Sequence, residues 1–261
     1  MIKSVAAVSL AAAGCSFLGD AAMYDKTQPP SFTVAKSMPG DGGLNVSLGV
    51  APTIVFTDFP DPATAMAPAV TLRAGQAAVE AMVTVDLINK AVVVVPASPL
   101  MPATAYTLEI ATSQNVGTPG LFSLSGAGLI GAQTTDAVVD IHFTTGTQTG
   151  GGPRMPMART LAADVQPMLS MYCALDGCHG ANNTMQMLLL TDGNSATSLV
   201  GVKSTEKGSL LRVEKGHPER SYLLRKLLGT GDISGQQMPS GGSLDSAQIL
   251  IVSDWIADGA P

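Results

Sequence analysis

The chain has 261 residues, of which 46% are hydrophobic and 13% charged, with 28 glycines, 17 prolines and a net charge of −6 at pH 7. This composition describes a folded, turn-rich chain long enough for two modest domains. The low content of lysine and arginine argues against nucleic acid as the main partner. Beyond the amino terminus, no apolar stretch is long enough to cross a membrane, so any attachment to one would be through a lipid.

Residues 1–15 predict export. Met1-Ile2-Lys3 is followed by an apolar run from Val5 to Ala13 that is too short to span a bilayer as a finished helix. Leu10 to Cys15 resembles a bacterial lipobox, which implies that Cys15 is lipidated and becomes the first mature residue. Ser16 resembles the sorting signal of outer-membrane lipoproteins. The alternative is an ordinary signal peptide with a chance cysteine. Residues 16–31 are interpreted as a tether.

Residues 32–147 show strand patterning. Apolar and polar residues alternate in Tyr106–Ile110 and in Val139–Phe143, which places them on opposite faces of a half-buried sheet. His142 lies on the polar phase, so we expect a solvated histidine. The turn at Ile88-Asn89-Lys90 is typical of a hairpin.

This region resembles the bacterial Ig-like modules of surface proteins. The resemblance implies an all-β sandwich that acts as a spacer or binding surface and carries no catalytic residue. The segments that carry it are Pro52–Phe56, Val92–Pro96, Pro102–Leu108 and Phe143–Gly146. Residues 148–158, at the end of a glycine- and threonine-rich run, then predict an interdomain linker.

Residues 159–261 change to helical spacing. Three helices are predicted: one through Val165, Met168, Leu169 and Tyr172, one over Ser221–Leu228, and one capped by Ser246 and ending near Gly259. We expect the aromatic side chains of Tyr172, Tyr222 and Trp255 to lie in the core.

Two cysteines, Cys173 and Cys178, stand directly before His179. Two thiols before a histidine are how c-type haem is held, although this spacing is two residues longer than the usual one. Gly177 would allow the longer insert to bulge. A short disulfide or two free thiols remains open, whereas zinc would need four ligands.

The same residues, 159–261, resemble the small c-type cytochrome domains of environmental bacteria, some of which share the longer cysteine spacing. The matching segments are Cys178-His179-Gly180, Ser221–Leu227, Met238-Pro239 and Trp255–Ala260. The resemblance implies an all-α domain with one covalently bound haem c, held through Cys173 and Cys178. It also implies that His179 and Met238 are the axial ligands of the iron. Met185 and Met187 are rival ligands that we expect to pack instead.

Seven of the 14 basic residues fall between Lys203 and Lys226, and we expect them on a mixed-charge surface. A sharper interpretation makes Arg212 or Lys215 a partner for a haem propionate, or part of a docking face for another redox protein. His217 is interpreted as a surface residue or helix cap.

The leading hypothesis is therefore an exported, lipid-anchored, two-domain electron carrier in the outer membrane, facing the periplasm or the cell surface, whose redox partner is unidentified. The competing hypothesis is a haem-free surface lipoprotein with binding or structural duties and a disulfide between Cys173 and Cys178. A third hypothesis is enzymatic, with a peroxidase-like or sensor haem from which Met238 dissociates. No distal acid-base residue is evident for it, which favours a carrier over a catalyst.

Overall fold

The computed structural model describes residues 30–182 and 184–261. The signal peptide predicted over residues 1–15, the lipidated Cys15 and nearly all of the tether predicted over residues 16–31 lie outside the described residues.

Nine strands build a sandwich of two sheets. Their order is β1-β3-β7-β6 in one sheet and β2-β9-β8-β4-β5 in the other, and all neighbours are antiparallel except β2 and β9. The all-β, Ig-like prediction is confirmed for this part of the chain. The strands are β1 Val34–Met38, β2 Gly43–Val46, β3 Thr53–Phe56, β4 Val70–Ala74, β5 Ala77–Ala78, β6 Ala81–Asp86, β7 Ala91–Pro96, β8 Ala105–Ala111 and β9 Val138–Thr145.

The sandwich core follows from period-two alternation along its strands. In β9, Ile141 and Phe143 are buried and His142 between them is exposed, as predicted. The Phe143 ring stacks on Tyr106 of β8, with 5.5 Å between ring centroids. The predicted hairpin is also confirmed, since β6 pairs with β7 up to Asp86 opposite Ala91.

Residues 148–158, the predicted linker, contain no helix or strand. They form hydrogen bonds both to the sandwich and to the helical domain. The Leu48 amide of the sandwich donates to the Gln148 carbonyl over 2.9 Å. Both terminal nitrogens of Arg154 donate to the Asp254 carboxylate, each over 2.7 Å. The Asp254 side chain is only 3% exposed, so Arg154 compensates a nearly buried charge.

Among the described residues that follow the linker, the regular elements are helices and short helical turns joined by loops, with isolated bridges at Val200–Val213 and Lys203–Leu211. A π-helical turn at Leu161–Val165 leads into α1, and short 3₁₀ turns cover Met185–Met187 and Pro218–Arg220. All three predicted helices are present. The α-helices are α1 Gln166–Tyr172, α2 Ser195–Leu199, α3 Tyr222–Leu228 and α4 Ser246–Ala257.

Trp255 of α4 is the centre of the helical core. It is fully buried, as are its neighbours Val252 and Ile256, and its indole N–H donates to the Pro261 carbonyl over 3.0 Å. The core prediction is thus confirmed for Trp255, and Tyr222 is 5% exposed. It is wrong for Tyr172, which is 39% exposed because it lies in the last turn of α1, at the edge of the core.

The amino-terminal cap of α4 differs from the prediction. Ser246 is the first helical residue, and the cap is Asp245, whose carboxylate accepts from the Gln248 amide over 2.8 Å. The Gln248 side-chain oxygen accepts from the Asp245 amide over 2.9 Å, which completes a capping box. This reciprocal pair needs a glutamine or glutamate three residues after the cap, and only Asp245 has one.

Replacing Asp245 should therefore weaken the fold more than replacing Ser246. We expect Asp245→Ala to lower the free energy of unfolding by about 1 kcal/mol, because the amides it caps lose their acceptor. Ser246→Ala should cost less than half as much, since alanine suits the first helical turn. Urea unfolding followed by tryptophan fluorescence reports on α4 through Trp255. A larger loss for Ser246→Ala would contradict the assignment.

Candidate functional site around Cys173, Cys178 and His179

The residues from Cys173 to His179 form a closed loop directly after α1. The Cys178 amide donates to the Leu175 carbonyl over 3.0 Å, and the His179 amide donates to the Cys173 carbonyl over 3.1 Å. Gly177 has φ +79°, the left-handed conformation that the sequence predicted for the bulge. The loop therefore brings the histidine backbone against the first cysteine.

Cys173 is a free thiol that lies in the apolar core. It is 9% exposed, and burial raises the pKa of its thiol to about 11. The disulfide between Cys173 and Cys178 in the competing hypothesis is not formed. Its physical obstacle is the packing of Cys173 into the apolar cluster of α1 and α4.

The His179 imidazole is held by a carbonyl. Its Nδ1 lies 3.2 Å from the Leu188 carbonyl oxygen, and donation from Nδ1–H to this oxygen leaves the lone pair on Nε2. Burial lowers the pKa of His179, and the nearby positive charges of Arg212 and Lys226 lower it further, against the opposing effect of the Leu188 and Met185 carbonyls. The ring is therefore neutral at pH 7, which is the form that binds a metal.

Met238 is half-buried and packs against the apolar core. Its amide donates to the carbonyl of Lys226 over 2.9 Å. Lys226 also lies close enough to His179 to lower the pKa of that imidazole. The structure thus places both Met238 and His179 near Lys226 of α3, although the two are 59 positions apart in the sequence.

The rival methionines do not pack. Met185 is 51% exposed and Met187 is 77% exposed, so the packing prediction is wrong for both. The reason lies in the backbone, because Gln186 and Met187 have φ values of 55° and 51°. These left-handed conformations reverse the chain at the 3₁₀ turn and direct both side chains outward.

Three cations predicted for the surface are buried, namely Arg212, Arg225 and Lys226. Lys226 donates to the Ser234 carbonyl over 2.8 Å and pairs with the Glu206 carboxylate at 3.3 Å. The surface prediction is wrong for these three because each cation finds oxygen partners inside the domain. A sequence signal existed for Arg225 and Lys226, which stand between leucines in one short helix.

The two residues suggested for a haem propionate occupy different environments. Arg212 is 7% exposed and donates to the carbonyls of Gln186, Met187 and Ser198. Lys215 is exposed. Burial lowers the pKa of Arg212. Both remain predicted propionate contacts, but the Arg212 guanidinium already has three protein acceptors.

Exposed apolar side chains lie in and beside the cysteine–histidine loop along the chain. Among the described residues after Met157, every large apolar side chain classed as exposed lies between positions 171 and 187. These five residues, which we call the loop patch, are Met171, Tyr172, Leu175, Met185 and Met187.

No helix in the described part of the chain is long and apolar enough to cross a membrane. Within residues 30–182 and 184–261, no group of three or more histidine, cysteine, aspartate or glutamate side chains is arranged to hold a metal ion.

The fold and sequence of the amino-terminal half define its class. Two packed sheets, antiparallel except where β2 pairs with β9, make it an Ig-like sandwich, and residues 25–145 match the bacterial Ig-like domain family. This part of the chain is therefore a bacterial Ig-like domain. No curated protein matches the chain.

Two solved structures resemble the chain at low identity. The amino-terminal part of the bacterial S-layer protein SbsC is 15% identical, with a TM-score of 0.32 over 45% of this chain and 24% of that one. PcoC, a methionine-rich copper resistance protein from Escherichia coli, is 15% identical, with a TM-score of 0.33 over 44% of this chain and 99% of that one. The chain therefore spans about a quarter of the SbsC fragment.

The environment of Cys173 predicts slow alkylation in the haem-free chain. With a pKa of about 11 against an ordinary 9.0, the thiolate fraction at pH 8 falls about a hundredfold. We expect iodoacetamide to label Cys173 at least about a hundredfold more slowly in the folded chain than in urea. Peptide mass spectrometry over time measures both rates, with the urea sample as control. Equal rates would show that the thiol is not buried.

Proposed function

We propose that this chain is an exported, lipid-anchored protein whose helical domain binds one haem c covalently and carries single electrons. Cys173 and Cys178 would form the thioether links, and His179 and Met238 would be the axial ligands. The Ig-like domain would act as a spacer between the anchor and the helical domain.

The orientation of His179 carries this proposal. A histidine ligand commonly donates one ring N–H to a backbone carbonyl, which fixes the other nitrogen as the metal ligand. His179 has this arrangement toward Leu188, within the loop closed by Cys173. The bond therefore leaves Nε2 as the nitrogen that could bind iron.

The surroundings of the loop are compatible with a large apolar group. The loop patch provides apolar side chains next to the two cysteines, and Cys173 is already in an apolar environment. The lowered pKa of His179 keeps the imidazole neutral, as iron binding requires. Met238 offers a thioether sulfur from a half-buried loop held by Lys226.

Haem bound at these residues would supply a one-electron iron couple. With His179 and Met238 as axial ligands, the chain would leave no open iron position for a substrate. The protein would therefore act as a carrier rather than a catalyst.

Export and anchoring rest on the amino-terminal sequence and on the domain class. The lipobox-like segment ending at Cys15 would supply the lipid. A bacterial Ig-like domain over residues 25–145 suits an extracellular or surface protein. Covalent haem attachment outside the cytoplasm agrees with export.

A second candidate function is a haem-free surface protein with a structural or binding role. The Ig-like family match favours it, because that match is independent of the helical domain. In this case the loop patch would contact another macromolecule, and His179 would be a structural residue.

Intact mass spectrometry separates these candidates. We expect the full chain, expressed with haem-maturation machinery and denatured, to retain one haem mass and a lipid mass. The peptide from Cys173 to His179 should carry the haem, because both thioethers lie within it. Cys15→Ala should lose the lipid mass and keep the haem mass. It is the control because it shows that the two modifications occur at different residues. A denatured wild-type chain that carries no haem would exclude the electron carrier and favour the haem-free surface protein.

Met238→Ala tests the distal ligand. We expect the oxidised haem-loaded chain to show a sulfur-to-iron charge-transfer band that disappears in Met238→Ala, because alanine offers no thioether. Met82→Ala, at an exposed position of β6, removes a methionine from the sandwich and should leave the band intact. An unchanged spectrum in Met238→Ala would exclude Met238 as ligand.

A further inference from the structure

We propose that Arg212 is a positioning residue for His179, acting through the loop that supplies the Leu188 carbonyl. The inference rests on the proposed function, in which His179 is the proximal ligand. It assigns to Arg212 a duty other than binding a propionate.

The Arg212 guanidinium joins two parts of the domain. One terminal nitrogen, Nη2, donates to the Gln186 carbonyl over 2.8 Å. The other, Nη1, donates to the Met187 carbonyl over 3.2 Å and to the Ser198 carbonyl of α2 over 2.8 Å. Arg212 forms no ion pair with any described carboxylate. Its hydrogen-bonding capacity is thus directed at backbone carbonyls.

Two of the three carbonyls that Arg212 binds belong to Gln186 and Met187, which both have left-handed backbones. Gln186 and Met187 have φ values of 55° and 51°, which cost free energy in residues that carry a Cβ atom. The Met187 side chain is 77% exposed, so apolar packing does little to hold it. The Thr205 hydroxyl also donates to the Gln186 side-chain oxygen over 2.9 Å. Backbone bonds also hold the turn, from the Met185 amide to the Cys178 carbonyl over 2.7 Å and from the Leu188 amide to the Met185 carbonyl over 3.1 Å. Arg212 adds charge-assisted bonds to these.

The position of this turn determines the acceptor for His179. Leu188 follows Met187 directly, and its carbonyl oxygen lies 3.2 Å from Nδ1 of the imidazole. Two residues further on, the Leu190 amide donates to the His179 carbonyl over 2.8 Å. A shift of the turn would move both contacts together.

The backbone of Arg212 is itself fixed, as a positioning residue requires. Its amide donates to the Val202 carbonyl over 2.7 Å, and its carbonyl accepts from the Leu223 amide of α3 over 2.9 Å. The guanidinium thus extends from a held backbone segment to the turn.

The test uses the full-length, haem-free chain labelled with ¹⁵N at pH 8. We expect the ring nitrogens of wild-type His179 to report a single tautomer with the proton on Nδ1. In Arg212→Met, both tautomers should be populated, and the Leu190 amide should exchange with solvent about tenfold faster or more, because the turn loses its charge-assisted bonds. Arg212→Lys keeps the charge but has one nitrogen, which cannot span the turn and α2, so it should behave like Arg212→Met.

Lys203→Met is the matched control, since it removes one positive charge from an exposed site on the neighbouring backbone bridge. It should keep the wild-type tautomer and exchange rate. A wild-type tautomer and exchange rate in folded Arg212→Lys would overturn the inference, as would a wild-type ring protonated on Nε2. Failure of the proposed function shows separately, as a wild-type chain that acquires no covalent haem.

Discussion

The hydrogen bond from the His179 amide to the Cys173 carbonyl is the constraint on which the candidate site depends. It closes a loop of seven residues and sets His179 beside the end of α1. The helix in turn directs Cys173 into the apolar core. Because the loop backbone is closed by its own bonds, the geometry of the cysteines and the histidine is set before any ligand binds. Such preorganisation spares a binding site the entropy of ordering itself.

Buried cations help to hold the loops of the helical domain in place, as apolar packing does in larger domains. Lys226 and Arg212 both lie near His179, and their partners are mostly carbonyl oxygens of neighbouring loops. Buried polar groups are costly unless they are satisfied, but once satisfied they specify one arrangement. A helical domain of about 100 residues has a small core. Polar contacts therefore fix the loops that its apolar residues leave unsupported.

Regular elements were predictable from the sequence because their signals are local. Period-two alternation identified the strand that contains Ile141 and Phe143, and helical spacing identified the helix around Trp255. The glycine bulge at Gly177 was also predictable, since a longer insert between the cysteines must turn back.

The site details could not be predicted because they depend on contacts between distant segments. Arg212 meets carbonyls 26 and 25 positions earlier, and nothing in the local sequence marks these as acceptors. The exposure of Met187 follows from a left-handed backbone in a non-glycine residue, which sequence patterns do not indicate. Similarly, the cap of α4 moved from Ser246 to Asp245 because Gln248 reaches back to it.

The bonded linker changes what the two-domain arrangement can do. By composition, residues 148–158 should swivel, yet the Arg154–Asp254 pair holds one end and the Leu48–Gln148 bond holds the other. A linker restrained in this way does not let the helical domain reorient freely about the sandwich. The loop patch would then keep one orientation relative to the sandwich.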